Sequence, residues 1–334
     1  MAVNMRPGDR SPGPAPLSNR DWVGRGAVAL AAAPAMTPPW SLPGLATDEE
    51  PIAKPKPRWT RIGASKTAMF GAAILFAYIL LALIGPSIAP RSPLEFNYSD
   101  VLKPPSSTYL MGTDQFGRDV FSRVLAGARS IVTIAFGATA LGVLGGTLVG
   151  LTAGYYGGKT DEAIMRVADG MMSFPSLLLA LLVLTTLGPN VVNIILAVAL
   201  TFVPRVARII RSVTLDLREQ QFVLAAQARG ERAPYIITRE LLPNAISAIL
   251  VESSIRVGYA ILIGASLGFL GLGVQPPTPD WGLMIYEGRS MIQVAPWLVI
   301  GPAVAISILV IAANLFADGM SRVLDSGERI EDAT

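Results

Sequence analysis

From residue 67 to about residue 318 the sequence alternates long apolar runs with short polar breaks. A helix needs roughly 20 apolar residues to cross the hydrocarbon core of a bilayer. Six runs approach that length: 68–89, 132–154, 171–188, 191–209, 245–271 and 296–317. The fourth carries Pro204 and closes on Arg205 and Arg208, whose long side chains can reach a membrane interface. The pattern predicts an all-α polytopic membrane protein with six transmembrane helices.

The polar breaks divide the chain further. Residues 1–66 are rich in Pro, Gly and Ala, as in SPGPAP and KPKPRW, and lack helical or strand periodicity, which reads as a disordered tail. Within it, RGAVALAAAPAM (25–36) mimics a leader peptide, or belongs to an over-extended start ahead of Met36. Residues 67–128 are read as the first span and an external segment, and 129–318 as the transmembrane core with a polar loop at 205–244. Residues 319–334 are read as a C-terminal tail.

Composition changes the picture mainly by exclusion. Charged residues make up only 15% of the chain and the mean hydropathy is +0.50, far from soluble-domain values. With neither Cys nor His, disulfide frameworks, thiol catalysis and His-based metal or acid–base sites are ruled out. The +3 formal charge gives no footprint for nucleic acid; the placement of Lys and Arg matters more than their sum. If the N-terminus is inside, Lys54, Lys56, Arg58, Arg61, Lys66, Lys159, Arg166, Arg205, Arg208, Arg211, Arg218, Arg229, Arg232, Arg239, Arg322 and Arg329 all fall on that side. Arg91, Lys103, Arg118, Arg123, Arg129 and Arg289 fall outside. The positive-inside rule then predicts both termini in the cytoplasm.

One insert stands out: FVLAAQARGERAPYIITRELLPN, residues 222–244, lies between the fourth and fifth runs. Residues 218–229 favour a helix, with Phe222, Ala225, Ala226 and Arg229 on one face. Gly230 suits a left-handed stop, Pro234 suits the first turn of a new helix, and Pro243 closes that helix. Two short helices with a bend result, with little to bury inside their own chain, which points to a partner.

This insert resembles the EAA loop of type I ABC import permeases, in which E-A-A-x-x-x-G precedes an apolar residue, Leu and Pro. Ala225, Ala226, Gly230, Leu242 and Pro243 match; Leu224 stands where the family usually has Glu. MGTDQFGRDVFSRVLAGARS (111–130) and SLGFLGLGVQPPTPDWGLMI (266–285) narrow the resemblance to the dipeptide/oligopeptide/nickel importers and their C-type permease subunit. GYYGGKTDEAIMRVADGMMSFPSLLLAL and ANLFADGMSRVLD are similar to the same group, and Gly264 is a departure where relatives often carry an acid. The resemblance implies a multi-pass subunit of a bacterial inner membrane that does no chemistry itself. It also implies a second homologous permease, two ATPase subunits that hold the ATP and Mg, and an extracytoplasmic substrate-binding protein. No cofactor or metal is expected on this chain. The loop's contacts with the ATPase would involve Phe222, Leu224, Ala225, Ala226, Arg229, Gly230, Pro234, Arg239 and Pro243. The implied substrates are dipeptides, oligopeptides or related small solutes such as nickel chelates and opines. A secondary transporter would instead show two related halves, and no such repeat is visible.

AGYYGGKT (153–160) fits a relaxed phosphate-loop pattern, but a phosphate cradle needs a strand before it and an α/β domain around it. An apolar run precedes it instead, so it reads as a tight turn. Glu252 and Arg256 lie four apart inside the fifth run, in the favourable order for pairing. Intramembrane charge is a default functional candidate, so the two either line a translocation path or neutralise each other to fix packing. Asp169, just before the third run, is a weaker path candidate. On the outer side, Asp114, Arg118, Asp119, Gln275, Asp280 and Trp281 are candidates for a gate or binding-protein contact. A turn or interface-anchoring role is equally open for them.

Overall fold

The computed structural model describes residues 65–331, and over that range the regular elements are helices, joined by loops of which 89–119 is the longest. The tail and its leader-like stretch lie outside the described residues. The helices are α1 (Lys66–Ile88), α2 (Val120–Tyr156), α3 (Gly158–Met172), α4 (Ser176–Leu187), α5 (Val191–Arg218), α6 (Gln221–Ala228), α7 (Ala233–Phe269), α8 (Trp281–Gly288) and α9 (Trp297–Glu331). Five of them, α1, α2, α5, α7 and α9, are long and apolar enough to cross a membrane.

The sixth crossing exists only as a bent pair. The run 171–188 is not one helix: α3 and α4 meet at 88° across Ser173–Pro175. Pro175 offers no amide and disfavours helical geometry at Phe174, so the chain turns there. At about 1.5 Å per residue, the α4 helix alone falls well short of a 30 Å core.

Other boundaries also move. α2 starts at Val120 because Asp119 caps it, its carboxylate accepting from the Ser122 amide at 3.0 Å. The fourth run extends through its arginines to Arg218, so the polar loop begins about fourteen residues later than 205. The C-terminal stretch from 319 continues α9 as helix to Glu331.

Pro243 does not close a helix. It sits near the start of the long apolar part of α7, just after a π-helical turn at Ile236–Leu241. That wider turn accommodates the proline's missing donor, as such bulges do. Asn244 Nδ2 adds a bond to the Glu240 carbonyl at 2.6 Å.

The core is a seam between α2 and α5, which run parallel. Gly142, Gly146, Gly150 and Gly154 form a stripe every fourth residue and receive Phe202, Val206, Ile210 and Thr214. A Cβ on Gly146 would sit 2.5 Å from the Val206 Cβ, and one on Gly154 2.6 Å from the Thr214 Cβ. Small residues let helix backbones approach closely where no hydrophobic force drives helices together. The stripe lies in GVLGGTLVGLTAG (142–154), inside the second apolar run, where the count of apolar residues does not single it out. α1 fastens to α9: Gly71 lies against Phe316 and Ala312, and Gly319 against Ala68. The start of α1 and residue 319 are therefore neighbours, which requires an even number of crossings between them.

Candidate functional site

The polar elbow between α5 and α7 is built on an apolar spine. Val223 and Ala226 of α6 and Ile236 and Leu241 of α7 are fully buried, and Phe222, Ile237 and Leu242 pack against them. α6 ends in a paired hydrogen-bond cap: the Gly230 amide donates to the Gln227 carbonyl (2.9 Å) and the Glu231 amide to the Ala226 carbonyl (3.2 Å). Gly230 takes φ +77°, with open space where a side chain would stand.

The face turned away from the spine is exposed and mostly uncharged. It carries Leu224 (52% exposed), Ala225, Ala228 and Gly230, with Pro234 and Tyr235 across the bend. Arg229 lies loosely between Glu231 and Glu240, at 3.8 and 3.7 Å, while Arg239 and Pro243 are exposed. Eight of the nine residues expected to make contacts are thus at least partly accessible. Ala226 is the exception: it points into the spine, because α6 starts at Gln221 and this sets which face turns inward.

The outer-side candidates turn inward. The Asp114 carboxylate accepts from the Phe116 and Arg118 amides (2.9 Å each) and from Arg118 Nε (2.5 Å). Glu287 of α8 receives Arg118 at 3.0 Å and Arg123 at 3.5 Å, so two arginines and two acids tie the 112–119 turn and α2 to α8. Asp280 caps α8, accepting from the Leu283 amide at 3.0 Å. Trp281 is fully buried, donating from Nε1 to the Val124 carbonyl at 2.8 Å and meeting Tyr78 edge-on. All six residues therefore have partners within this chain, Gln275 through bonds from its side-chain amide to the Gly271 and Gly273 carbonyls at 3.3 and 3.0 Å. Of the six, only Gln275 is exposed. Glu287, essential to the cluster, carried no local sequence signal because its partners lie more than 160 residues away.

The Glu252–Arg256 pair forms inside α7, with Arg256 Nε donating to Glu252 Oε1 at 2.5 Å. Both side chains are buried, and the guanidinium lies 5.6 Å from the Phe202 and Tyr259 ring centres. Phe202 also seats on Gly142, so the pair continues the α2–α5 seam into α7. Asp169 is elsewhere: exposed on α3 and paired with Arg208 of α5. That pair belongs to a ladder on α5. Arg211 holds Asp161, Arg205 donates to Ser176 Oγ at 2.6 Å, and Arg218 donates to the Gly154 carbonyl at 3.2 Å. The sequence predicts that Arg205 and Arg208 reach a membrane interface; in the structure the partners of these arginines are on α2, α3 and α4.

The phosphate-loop-like stretch is the turn from α2 into α3. Gly157 and Gly158 take φ +64° and +53°, a helix precedes them, and no strand occurs among the described residues beyond one isolated bridge at Thr113–Asp119. Arg218 already occupies the carbonyls at the end of α2.

Residues 146–330, which contain the elbow, match the family of binding-protein-dependent transport system inner membrane components. The chain belongs to that family. Residues 58–105 of this permease also match the N-terminal transmembrane domain of oligopeptide transport permease C. It is 39% identical over 294 residues to the dipeptide transport system permease of Alkalihalophilus pseudofirmus, covering 88% of this chain and 97% of the relative. It is 41% identical over 268 residues to the glutathione transport system permease of Escherichia coli, covering 80% and 88%. In fold it is similar to a chain of the MetNI methionine ABC transporter in an inward-facing conformation. That match has a TM-score of 0.50 and 17% identity, covering 61% of this chain and 95% of the other. The permease is a non-catalytic membrane subunit of an ABC importer.

Proposed function

We propose that this permease forms half of the translocation pore of an importer for dipeptides or other short peptides, and that its polar elbow is the point where ATPase subunits grip it. The substrate class follows from relatives named for dipeptide and glutathione transport, which cover most of their own length in the match. A second homologous permease, two ATPase subunits and an extracytoplasmic binding protein complete the assembly. Both ends of the chain lie in the cytoplasm, as the basic residues favour.

The observation that carries this reading is the split of the elbow into a buried apolar spine and an accessible face of mostly small and uncharged residues edged by Arg229, Arg232 and Arg239. The spine transmits force because Ile236 and Leu241 belong to the same continuous helix that carries Glu252 and Arg256. A partner that binds the outer face with different affinity in its two nucleotide states shifts the pore between two arrangements. ATP hydrolysis itself occurs on the partner chains. Glu252 and Arg256, held between α5 and α7, sit where such a rearrangement would pass and are proposed to border the path.

Gly230→Pro tests this directly, because proline cannot take φ +77° and the cap must break. In the assembled transporter the substitution abolishes peptide-stimulated ATP hydrolysis and uptake, while membrane insertion, read by protease accessibility, stays intact. Unchanged uptake by a correctly inserted variant would refute the coupling role.

A further inference from the structure

We propose that the groove between α3 and α5 is a binding site for one anionic phospholipid. The groove has a volume of about 400 Å³, within the roughly 300–1,000 Å³ of small-molecule sites. Its walls are wholly apolar: Ala163, Ile164, Val167 and Met171 of α3 face Val203 and Pro204 of α5. The α3 helix cannot collapse onto it because its two ends are tethered by ion pairs, Asp161 to Arg211 and Asp169 to Arg208. Val167 remains 65% exposed.

The groove also lies at the right depth. On α2, Gly145 faces Val203 of the groove wall, two residues before Arg205. Counting back along α2 to Leu125, whose carbonyl meets Gly85 near the end of α1, spans roughly twenty residues, or about 30 Å. That is the thickness of a hydrocarbon core, so Arg205 sits at one membrane interface while Gly85 approaches the other.

Charge selects the headgroup. Around the groove, Arg166, Arg208 and Arg211 each face a carboxylate, but Arg205 has only the Ser176 hydroxyl, and Lys159, one turn before the groove, has no carboxylate partner among the described residues. A hydrocarbon slot with an unneutralised cation beyond each end, Lys159 before Ala163 and Arg205 at Ser176, suits an acyl chain with an anionic phosphate at one end, and basic pockets between transmembrane helices are known to recruit such lipids. A zwitterionic lipid fills the slot without using the charge. This site stands on the membrane-spanning fold and not on the coupling role of the elbow, so the two fail independently.

The test uses the permease assembled with its partner subunits in mild detergent. It is incubated with phosphatidylglycerol or phosphatidylcholine of matched acyl chains, and bound lipid is counted by native mass spectrometry. Wild type retains phosphatidylglycerol several-fold over phosphatidylcholine. Val167→Trp, which fills the groove from an exposed position, loses that retention, and Arg205→Gln loses the preference. If Arg205→Gln fails to assemble, Lys159→Gln, at an exposed site, must lower the preference instead. Equal retention of the two lipids by wild type, or a preference unaltered by Val167→Trp, overturns the proposal. So does efficient cross-linking of Val167→Cys to another subunit, which would assign the groove to a protein neighbour.

Discussion

A single methyl group probes the α2–α5 seam. Gly146 meets the Val206 side chain and the Val203 carbonyl so closely that any Cβ forces the helices apart, whereas Gly170 has open space around it. Gly146→Val therefore lowers the unfolding temperature in micelles, with overpacking costing roughly 1–3 kcal/mol or more, whereas Gly170→Ala, inside α3 with open space, does not lower it and gains up to about 1 kcal/mol of helix propensity. At Asp280, burial pushes the carboxyl up to about 6 from its ordinary 3.8, against the hydrogen bonds from the Leu283 and Gly282 amides. The folded state thus favours the protonated form. Stability from this group is full below 3.8 and is lost as pH rises through about 6, an effect on the order of 3 kcal/mol. Asp280→Asn keeps the acceptor for Leu283 but cannot ionise. It flattens the pH dependence of unfolding between about pH 4 and pH 7, which thermal melts across that range measure. Hydropathy does not single out the glycine stripe, because it counts a run of apolar residues without asking which of them are small at helical spacing. Asp280 was legible as a residue of interest, but not as a buried cap, since its burial is created by Gly268 and Gly282 approaching from two helices.

Among the elements, the two most informative are those where local rules and tertiary context disagree. The apolar runs set the count of long helices, because length and hydropathy are local properties. Where a proline fell, the same local rule gave two outcomes. Pro175 breaks the third run, since nothing packs to hold Phe174 in a helix; Phe174 is 56% exposed. Pro243 is carried inside α7 because the π-turn before it is anchored by buried Ile236 and Leu241. The inward turn of the outer loop was equally hidden, as it depends on Glu287 arriving from α8 to meet Arg118 and Arg123. Glu287→Gln leaves two largely buried arginines sharing Asp114. Removing one partner from such a cluster is expected to cost on the order of 3 kcal/mol and to free the 112–119 turn. Limited proteolysis within that turn, faster than in the unaltered chain, reports the change.

For the whole molecule, much of the apolar surface has no partner inside the chain. Phe70, Phe76 and Leu83 on α1 and Leu178 and Leu182 on α4 are all more than half exposed, a pattern that water would not tolerate at this scale. Lipid and other subunits must cover it, consistent with a permease that is one part of a larger importer. Apart from the loose pairs of the elbow and the Lys103–Asp100 pair of the external loop, the ion pairs among the described residues lie in three places: the outer cluster, the Glu252–Arg256 pair and the arginine ladder of α5 with its neighbouring α3. Between them the helices pack through glycine and aliphatic contacts, so rigid elements can shift as bodies about the elbow. What touches that elbow therefore decides whether it is the coupling point. The chain contains no cysteine, so one can be introduced alone. The deciding measurement is cross-linking in the assembled transporter of Ala225→Cys, on the exposed face, against Ala226→Cys, on the spine. The prediction is a strong cross-link from position 225 to an ATPase subunit, changing in yield with nucleotide state, and none from position 226. Labelling of position 225 by an impermeant thiol reagent from outside the cell, with no cross-link to an ATPase, would contradict it.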